Sequence, residues 1–202
     1  MARRRTYSPD AVVEAAKDTF WRLGYEGAAI SDLEAATGLS RSSLYQAFKS
    51  KEQLFAIALD VYISDFIGPL LQPMESAHAE PDSAEQFIRA LCNLFQGDGL
   101  AGRYGCLWIN SISDLNGRDG LRIDTRPVEL WERLCGAFSN ALTHAAPWER
   151  TGLRSPEERA RVLAAATVGC WVAVRIDAAR AVDACNAMLA ELASWRRPEL
   201  VA

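Results

Sequence analysis

Apolar residues along this 202-residue chain recur at intervals of three and four, and no stretch sustains an interval of two. That is the helical period, so the chain is expected to be all-α. Punctuation residues divide the pattern. Ser8-Pro9 reads as an N-cap with proline at the first helical position, opening a helix with Val13, Ala16, Phe20 and Leu23 on one face. Gly24 is a C-terminal stop. A short helix, Ile30 to Thr37, turns Ile30, Leu33 and Ala36 inward and breaks at Gly38. Ser40 caps the next helix, which turns Leu44, Ala47 and Phe48 inward. Ser50 and Gln53 form a capping box for a longer helix bearing Leu54, Ala58, Val61 and Tyr62.

The remainder follows the same logic. Gly68-Pro69 ends or kinks the fourth helix, and the polar stretch through Pro81-Asp82 is a connection. Ser83 and Gln86 can cap a helix carrying Phe87, Leu91, Leu94 and Phe95. Gly97 to Gly105 reads as a glycine-rich loop, followed by helices over Cys106 to Leu115 and Pro127 to His144. Ser155-Pro156-Glu157-Glu158 opens a helix that is apolar all round from Val162 to Val174, and a last helix runs from Ala178 to Trp195. A helix apolar all round must be covered on every side. It is either central in one chain or packed against a second copy, with Ala164, Ala165, Gly169 and Ala173 allowing close approach.

Half of the residues are hydrophobic and 24% charged, which suits a globular chain with a sizeable core. The longest uncharged apolar stretch, Val162 to Val174, is too short to span a bilayer, and no apolar segment follows Met1-Ala2-Arg3-Arg4-Arg5 as in a signal peptide. A cytoplasmic protein without membrane contact is expected. The five cysteines (Cys92, Cys106, Cys135, Cys170 and Cys185) lack metal or pair spacing and read mostly as small buried hydrophobes. The net charge of −4 is unevenly spread. Residues 1–51 hold eight basic groups against six acidic ones, and the rest holds fourteen against twenty. A basic end on an acidic body points to one DNA-facing pole. No catalytic residue, metal or cofactor is expected. His78 and His144 stand apart, no His-Glu-x-x-His or Gly-x-Ser-x-Gly pattern occurs, and the Gly97–Gly105 loop lacks the Gly-Lys-Ser/Thr of a phosphate loop.

Residues 29–48 form a helix-turn-helix pattern. Two short helices bury Leu33, Ala36, Leu39 and Leu44, Gly38 permits a left-handed backbone at the turn, and Ser40 caps a helix whose N-terminal end can enter the major groove. Its outward residues, Arg41, Ser42, Ser43 and Gln46, are short, polar or basic. The stretch from Gly24-Tyr25-Glu26-Gly27 through Leu44-Tyr45-Gln46-Ala47-Phe48-Lys49-Ser50-Lys51-Glu52-Gln53-Leu54 resembles the signature of the tetracycline-repressor (TetR) family, including its closing Leu-Tyr-x-x-Phe-x-x-Lys-x-x-Leu pattern.

The resemblance implies a helix-turn-helix DNA-binding domain over residues 1–53 and a helical effector-binding and dimerisation domain over residues 54–202. It also implies a homodimer, a palindromic double-stranded DNA operator, and release by a small effector. Arg41, Ser42, Ser43 and Gln46 sit where the family meets bases or nearby phosphates, and Tyr45 and Lys51 where it meets the backbone. The chain departs from the family at Ala28-Ala29, where many relatives carry Thr-Ser. The family's threonine caps the second helix and touches phosphate. Arg3, Arg4 and Arg5 would reach the minor groove or neighbouring phosphates. The competing reading is a helical small-molecule-binding protein or enzyme without DNA binding.

In the second domain, Gly105-Cys106-Leu107-Trp108-Ile109-Asn110 resembles a Gly-Cys-Leu segment of a TetR-family subset, one branch of which responds to electrophiles through this cysteine. A helix start at Cys106 would lower its thiol pKa and favour the thiolate; the alternative reading, and the favoured one, is a buried, inert cysteine. The family places its effector cavity among these helices. Phe95, Cys106, Trp108, Trp131 and Trp171, with Asn110, Ser113 and Arg175 as polar groups, are therefore the expected lining for a hydrophobic or aromatic compound.

Overall fold

The computed structural model describes residues 7–115, 126–144 and 155–195. In chain order its helices are α1 (Pro9–Gly27), α2 (Ile30–Thr37), α3 (Arg41–Phe48), α4 (Lys51–Tyr62), α5 (Gly68–Glu75), α6 (Ser83–Gln96), α7 (Leu100–Tyr104), α8 (Leu107–Leu115), α9 (Arg126–His144), α10 (Pro156–Ala173) and α11 (Ala178–Trp195). A π-helical turn, Ile63–Ile67, follows α4, and no strand occurs among the described residues. Arg3, Arg4 and Arg5 lie outside the described residues. Contacts divide the chain into two units, residues 1–67 with 106–122 and residues 68–105 with 123–202.

The N-terminal unit is built on α1 and α4. The Ser8 hydroxyl accepts the Ala11 N–H at 3.5 Å, and Pro9 opens the helix. Gly24 leaves helical geometry, with φ 74° and ψ 171°, as its place at the end of the apolar run leads one to expect. One further turn nevertheless follows, and the Ala28 N–H returns to the Gly24 carbonyl at 3.3 Å. The buried face is not quite the expected one. Leu23 is 47% exposed, whereas Trp21 and Tyr25 join Val12, Val13, Ala16 and Phe20 inside. The large rings set the rotation of α1. Phe20 meets Phe55 edge-on at 5.0 Å between centroids, and Trp21 meets Tyr62 at 4.7 Å. Each such pair adds about 0.5–1.5 kcal/mol beyond the area it buries. Helix α8 packs on α1 and α4.

The regular helix α4 ends at Tyr62, and α5 begins at Gly68, directly after the π-helical turn. Proline has no N–H to donate, and the π-helical turn immediately before Gly68 takes up the change in hydrogen-bond register. The run Lys51–Glu75 is long and apolar enough to cross a membrane by length and composition, although it carries Lys51, Glu52, Asp60, Asp65 and Glu75. Leu54, Phe55, Ala58, Leu59, Tyr62, Ile67, Leu71 and Met74 are buried within the protein, the pattern of a core helix.

The C-terminal unit packs α6, α9, α10 and α11 together, with α5 on α6 and α9. Helix α6 starts one residue earlier than expected, with no side-chain cap on its first N–H groups. Asp82 is the N-cap and accepts from Gln86 Nε2 at 2.8 Å, while Ser83 is already helical and buried. Phe87 meets Phe138 edge-on at 5.4 Å. Arg133 grips Glu75 with two hydrogen bonds, 2.6 and 2.9 Å, and Asn140 Nδ2 donates to the Met74 and Ser76 carbonyls at the end of α5. The glycine-rich stretch is not all loop, because α7 forms within it. Cys106, Cys170 and Cys185 are buried, in keeping with small hydrophobes, while Cys92 and Cys135 are half-buried. The Cys170 thiol contacts Met188 Sδ at 3.7 Å.

Helix α10 opens with the full capping box. The Ser155 hydroxyl accepts the Glu158 N–H at 3.3 Å, and the Glu158 carboxylate accepts the Ser155 N–H at 2.8 Å. Its inner face, with Leu163, Ala164, Thr167, Cys170 and Trp171, is buried. Its outer face is open. Val162, Ala165, Gly169 and Val172, with Ile176 in the turn after the helix, stand three or four residues apart and exposed, Ile176 at 73%. Ala164 therefore packs in the core and is no part of the outward small-residue surface expected of it.

Candidate nucleic-acid interface

Helix α2 begins without a hydroxyl cap, since Ala29 occupies the N-cap position. The Asp32 carboxylate substitutes from inside the first turn, accepting the Ala29 N–H at 2.8 Å. Leu33 is the one residue of α2 that is buried. Ala36 is exposed, contrary to expectation, and Leu39 is half-buried. An eight-residue helix has room for about two turns. The buried apolar contact of α2 is therefore confined to Leu33.

Gly38 makes the turn with φ 69° and ψ 8°. The Ser40 hydroxyl then accepts the Ser43 N–H at 3.3 Å and lies 3.0 Å from the hydroxyls of both Ser42 and Ser43. This fixes the start of α3 and sorts its side chains. Leu44 and Phe48 are buried. Arg41, Ser42, Tyr45 and Gln46 are exposed, and Ser43 is half-buried. Helix α3 thus presents a polar face with one cation at its N-terminal end.

Two contacts here have no local sequence signature. The Arg41 N–H donates to Glu34 Oε1 of α2 at 2.6 Å, and the Arg41 guanidinium lies 5.7 Å from the centre of the Tyr45 ring. At the end of α3, Lys49 adopts φ 66°, and the Ser50 hydroxyl accepts the Gln53 N–H at 3.1 Å to start α4. Lys51, in the first turn of α4, places its ammonium 4.6 Å from the centre of the Tyr25 ring. The neighbouring Glu52 carboxyl is held below its ordinary value, first by the Ser50 hydroxyl, then by its own N–H, with the Tyr25 hydroxyl and Lys51 adding to the effect. Tyr45 and Lys51 border one small apolar crevice with Ile30, Leu33, Leu44, Phe48 and Leu54. The six expected DNA-facing residues therefore lie on α3 and on the first turn of α4, and sequence reasoning missed Glu34 and Tyr25 beside them.

The expected effector-lining residues fall in both units. In the C-terminal unit Phe95 meets Trp171 edge-on at 4.9 Å, both buried, and Trp131 is half-buried. Arg175 is exposed, and its stem lies close to Gly105, where an added Cβ would stand 3.1 Å from Arg175 Cγ. In the N-terminal unit Asn110 is half-buried, and Trp108 is buried with an indole N–H that has no hydrogen-bond partner. The Ser113 side chain lies outside the described residues.

Cys106 precedes α8 and is 1% exposed. The Tyr62 hydroxyl donates to its sulfur at 3.2 Å. Burial pushes the thiol up, and this outweighs the opposing pull of the Tyr62 hydroxyl and of the Ile109 and Trp108 N–H groups. The helix start acts in the expected direction, but desolvation dominates, so the expectation of a lowered thiol pKa is corrected. N-ethylmaleimide on native protein is accordingly expected to modify the half-buried Cys92 and Cys135 well before Cys106, as mass spectrometry of the adducts would show. Labelling of Cys106 first would contradict this placement.

Comparison with known proteins places residues 12–57 within the model of the family described as "Bacterial regulatory proteins, tetR family". The chain is 31% identical to the HTH-type transcriptional repressor ComR of Escherichia coli K12 over 119 residues, 58% of this chain and 56% of that protein. It therefore spans little more than half the length of that relative. Over 91% of its length it superposes on 93% of a TetR transcriptional regulator from Chloroflexus aurantiacus, with a TM-score of 0.69 and 26% identity. It shares the fold of the TetR family regulator CifR, solved as a cysteine mutant with a 26 bp operator DNA, at a TM-score of 0.76 and 22% identity over 94% of this chain and 98% of that one.

Proposed function

This chain belongs to the tetR family of bacterial regulatory proteins, and from that premise we propose that it is a cytoplasmic transcriptional repressor rather than an enzyme. In this reading a homodimer binds a palindromic double-stranded DNA operator, and a small hydrophobic or aromatic compound releases it. Residues 1–53 form the DNA-binding domain, and residues 54–202 the effector-binding and dimerisation domain. The observation that carries the reading is the sorting of α3. Its cap and buried Leu44 and Phe48 hold it rigidly, while Arg41, Ser42, Tyr45 and Gln46 are left in solvent. The roles assigned are base and nearby-phosphate contact for Arg41, Ser42, Ser43 and Gln46, and backbone contact for Tyr45 and Lys51.

These roles separate in a binding assay on an operator obtained by selection. Lys51→Ala is expected to weaken binding to operator and random DNA alike, with the slope of log affinity against log salt falling by about one per site. Arg41→Ala is expected to relax base preference as well, by about 1–3 kcal/mol at one position of each half-site. Equal effects of both variants on specific and random DNA would contradict the base-reading role.

Release needs a compound that binds the DNA-incompetent state more tightly. The effector site is assigned to the C-terminal unit, with Phe95, Trp131, Trp171 and Arg175 as its lining; Cys106, Trp108 and Asn110, expected with them, belong to the N-terminal unit. A compound seated among these aromatics is expected to quench tryptophan fluorescence and to release operator over the same concentration range. Quenching without release across an aromatic compound library would count against effector control.

A further inference from the structure

The contacts made by Glu34 and Tyr45 converge on one side chain. The start of a helix is an anion-binding position, because its first N–H groups point outward unpaired. In α3 that position is already taken. The Glu34 carboxylate accepts the Arg41 N–H at 2.6 Å, seven residues downstream and across the turn, and the Ser40 hydroxyl accepts the Ser43 N–H. A DNA phosphate approaching this point would meet a carboxylate. One turn further along α3, the exposed Tyr45 ring lies 5.7 Å from the Arg41 guanidinium. No ion pair engages Arg41 among the described residues.

We propose that Glu34 and Tyr45 are positioning residues that aim the Arg41 guanidinium at a guanine edge in the major groove. This rests on the DNA-binding reading above and adds how base preference is set. Glu34 fixes the backbone from which Arg41 departs and keeps phosphate away from the start of α3. The Tyr45 ring, 5.7 Å from the guanidinium carbon, backs the exposed Arg41 side chain, whose N–H donors form a planar fork. A guanidinium fork so backed matches the paired acceptors O6 and N7 of guanine. Because the side chain is placed before binding, less rotamer freedom is lost on contact.

The test uses full-length protein and an operator found by selection from random oligonucleotides with the wild type. The base read by Arg41 is the position whose substitution no longer matters in Arg41→Ala. At that position Glu34→Ala and Tyr45→Leu are each expected to reduce discrimination by about three- to tenfold, and to leave discrimination elsewhere in the site intact. Glu34→Ala should at the same time bind random DNA more tightly, because a negative charge facing phosphate is gone. A role in folding alone gives no such pair of opposite changes. Glu34→Gln, whose amide oxygen still accepts, and Tyr45→Phe, which keeps the ring, should retain discrimination at the Arg41 position. Circular dichroism confirms helicity in every variant.

If the wild type selects no sequence, the DNA-binding reading fails and the inference falls with it. If the wild type selects a site but Arg41→Ala affects no single position, or that position is not guanine, DNA binding stands and the inference is overturned. It is also overturned if Glu34→Ala and Tyr45→Leu weaken every position alike or none, or if Glu34→Gln loses as much as Glu34→Ala.

Discussion

Val172→Asp is expected to yield a folded monomer whose affinity for a palindromic operator is lower by about a hundredfold or more, because two linked half-site contacts become one. Helix α10 carries the open stripe Val162, Ala165, Gly169 and Val172, followed by the exposed Ile176 in the turn after it, with Val172 49% exposed in the single chain. Small residues in such a stripe let helices approach closely, and a two-fold partner brings the same surface in return. Aspartate at this position would bury an unpaired charge from each copy, a cost of several kcal/mol. The fold of one chain should tolerate the change, since an exposed substitution away from special features shifts stability by about 0.5 kcal/mol or less. Light scattering gives the oligomeric state and fluorescence anisotropy the operator affinity. A dimer that persists in the aspartate variant would place the interface elsewhere.

The second large effect concerns stability. Leu33→Ala is expected to destabilise the helix-turn-helix by about 2–5 kcal/mol. Helix α2 has eight residues and Leu33 is the only one it buries, fully, so no neighbour can take over its anchoring. Thermal unfolding followed by circular dichroism would report a transition lower by several degrees, with operator binding lost as α2 detaches. Ala36→Ser, on the same helix but exposed, should change stability by about 0.5 kcal/mol or less. Equal costs for the two substitutions would contradict the observed rotation of α2.

Local chemistry was readable from sequence wherever a single residue decides it. Ser8, Ser40, Ser50 and Ser155 cap the helices they were expected to cap, and Gly24 and Gly38 take positive φ where the apolar runs stop. Features set by more distant partners were not. The outward turn of Leu23 follows from Phe20 and Trp21 meeting rings on α4. The π-helical turn before Gly68-Pro69 has no signature in the residues that form it. At the candidate interface, the polar face of α3 was legible because it follows from helical period and a cap. The hold of Glu34 on Arg41 was not, since it spans a turn and seven residues with no repeating pattern. Cys106 shows the limit in another form. The helix start was visible in the sequence, whereas the burial that outweighs it is a property of the packed unit.

The central claim is that α3 reads DNA sequence. The measurement that tests it most directly is selection of binding sites by purified wild-type protein from a pool of random duplex oligonucleotides, with sequencing of the bound fraction. One palindrome should be enriched, with half-sites about one helical turn apart, centre to centre, or a small multiple of that. That enrichment should be lost in Arg41→Ala. A bound pool that stays random, or that is enriched equally by the variant, would contradict the claim.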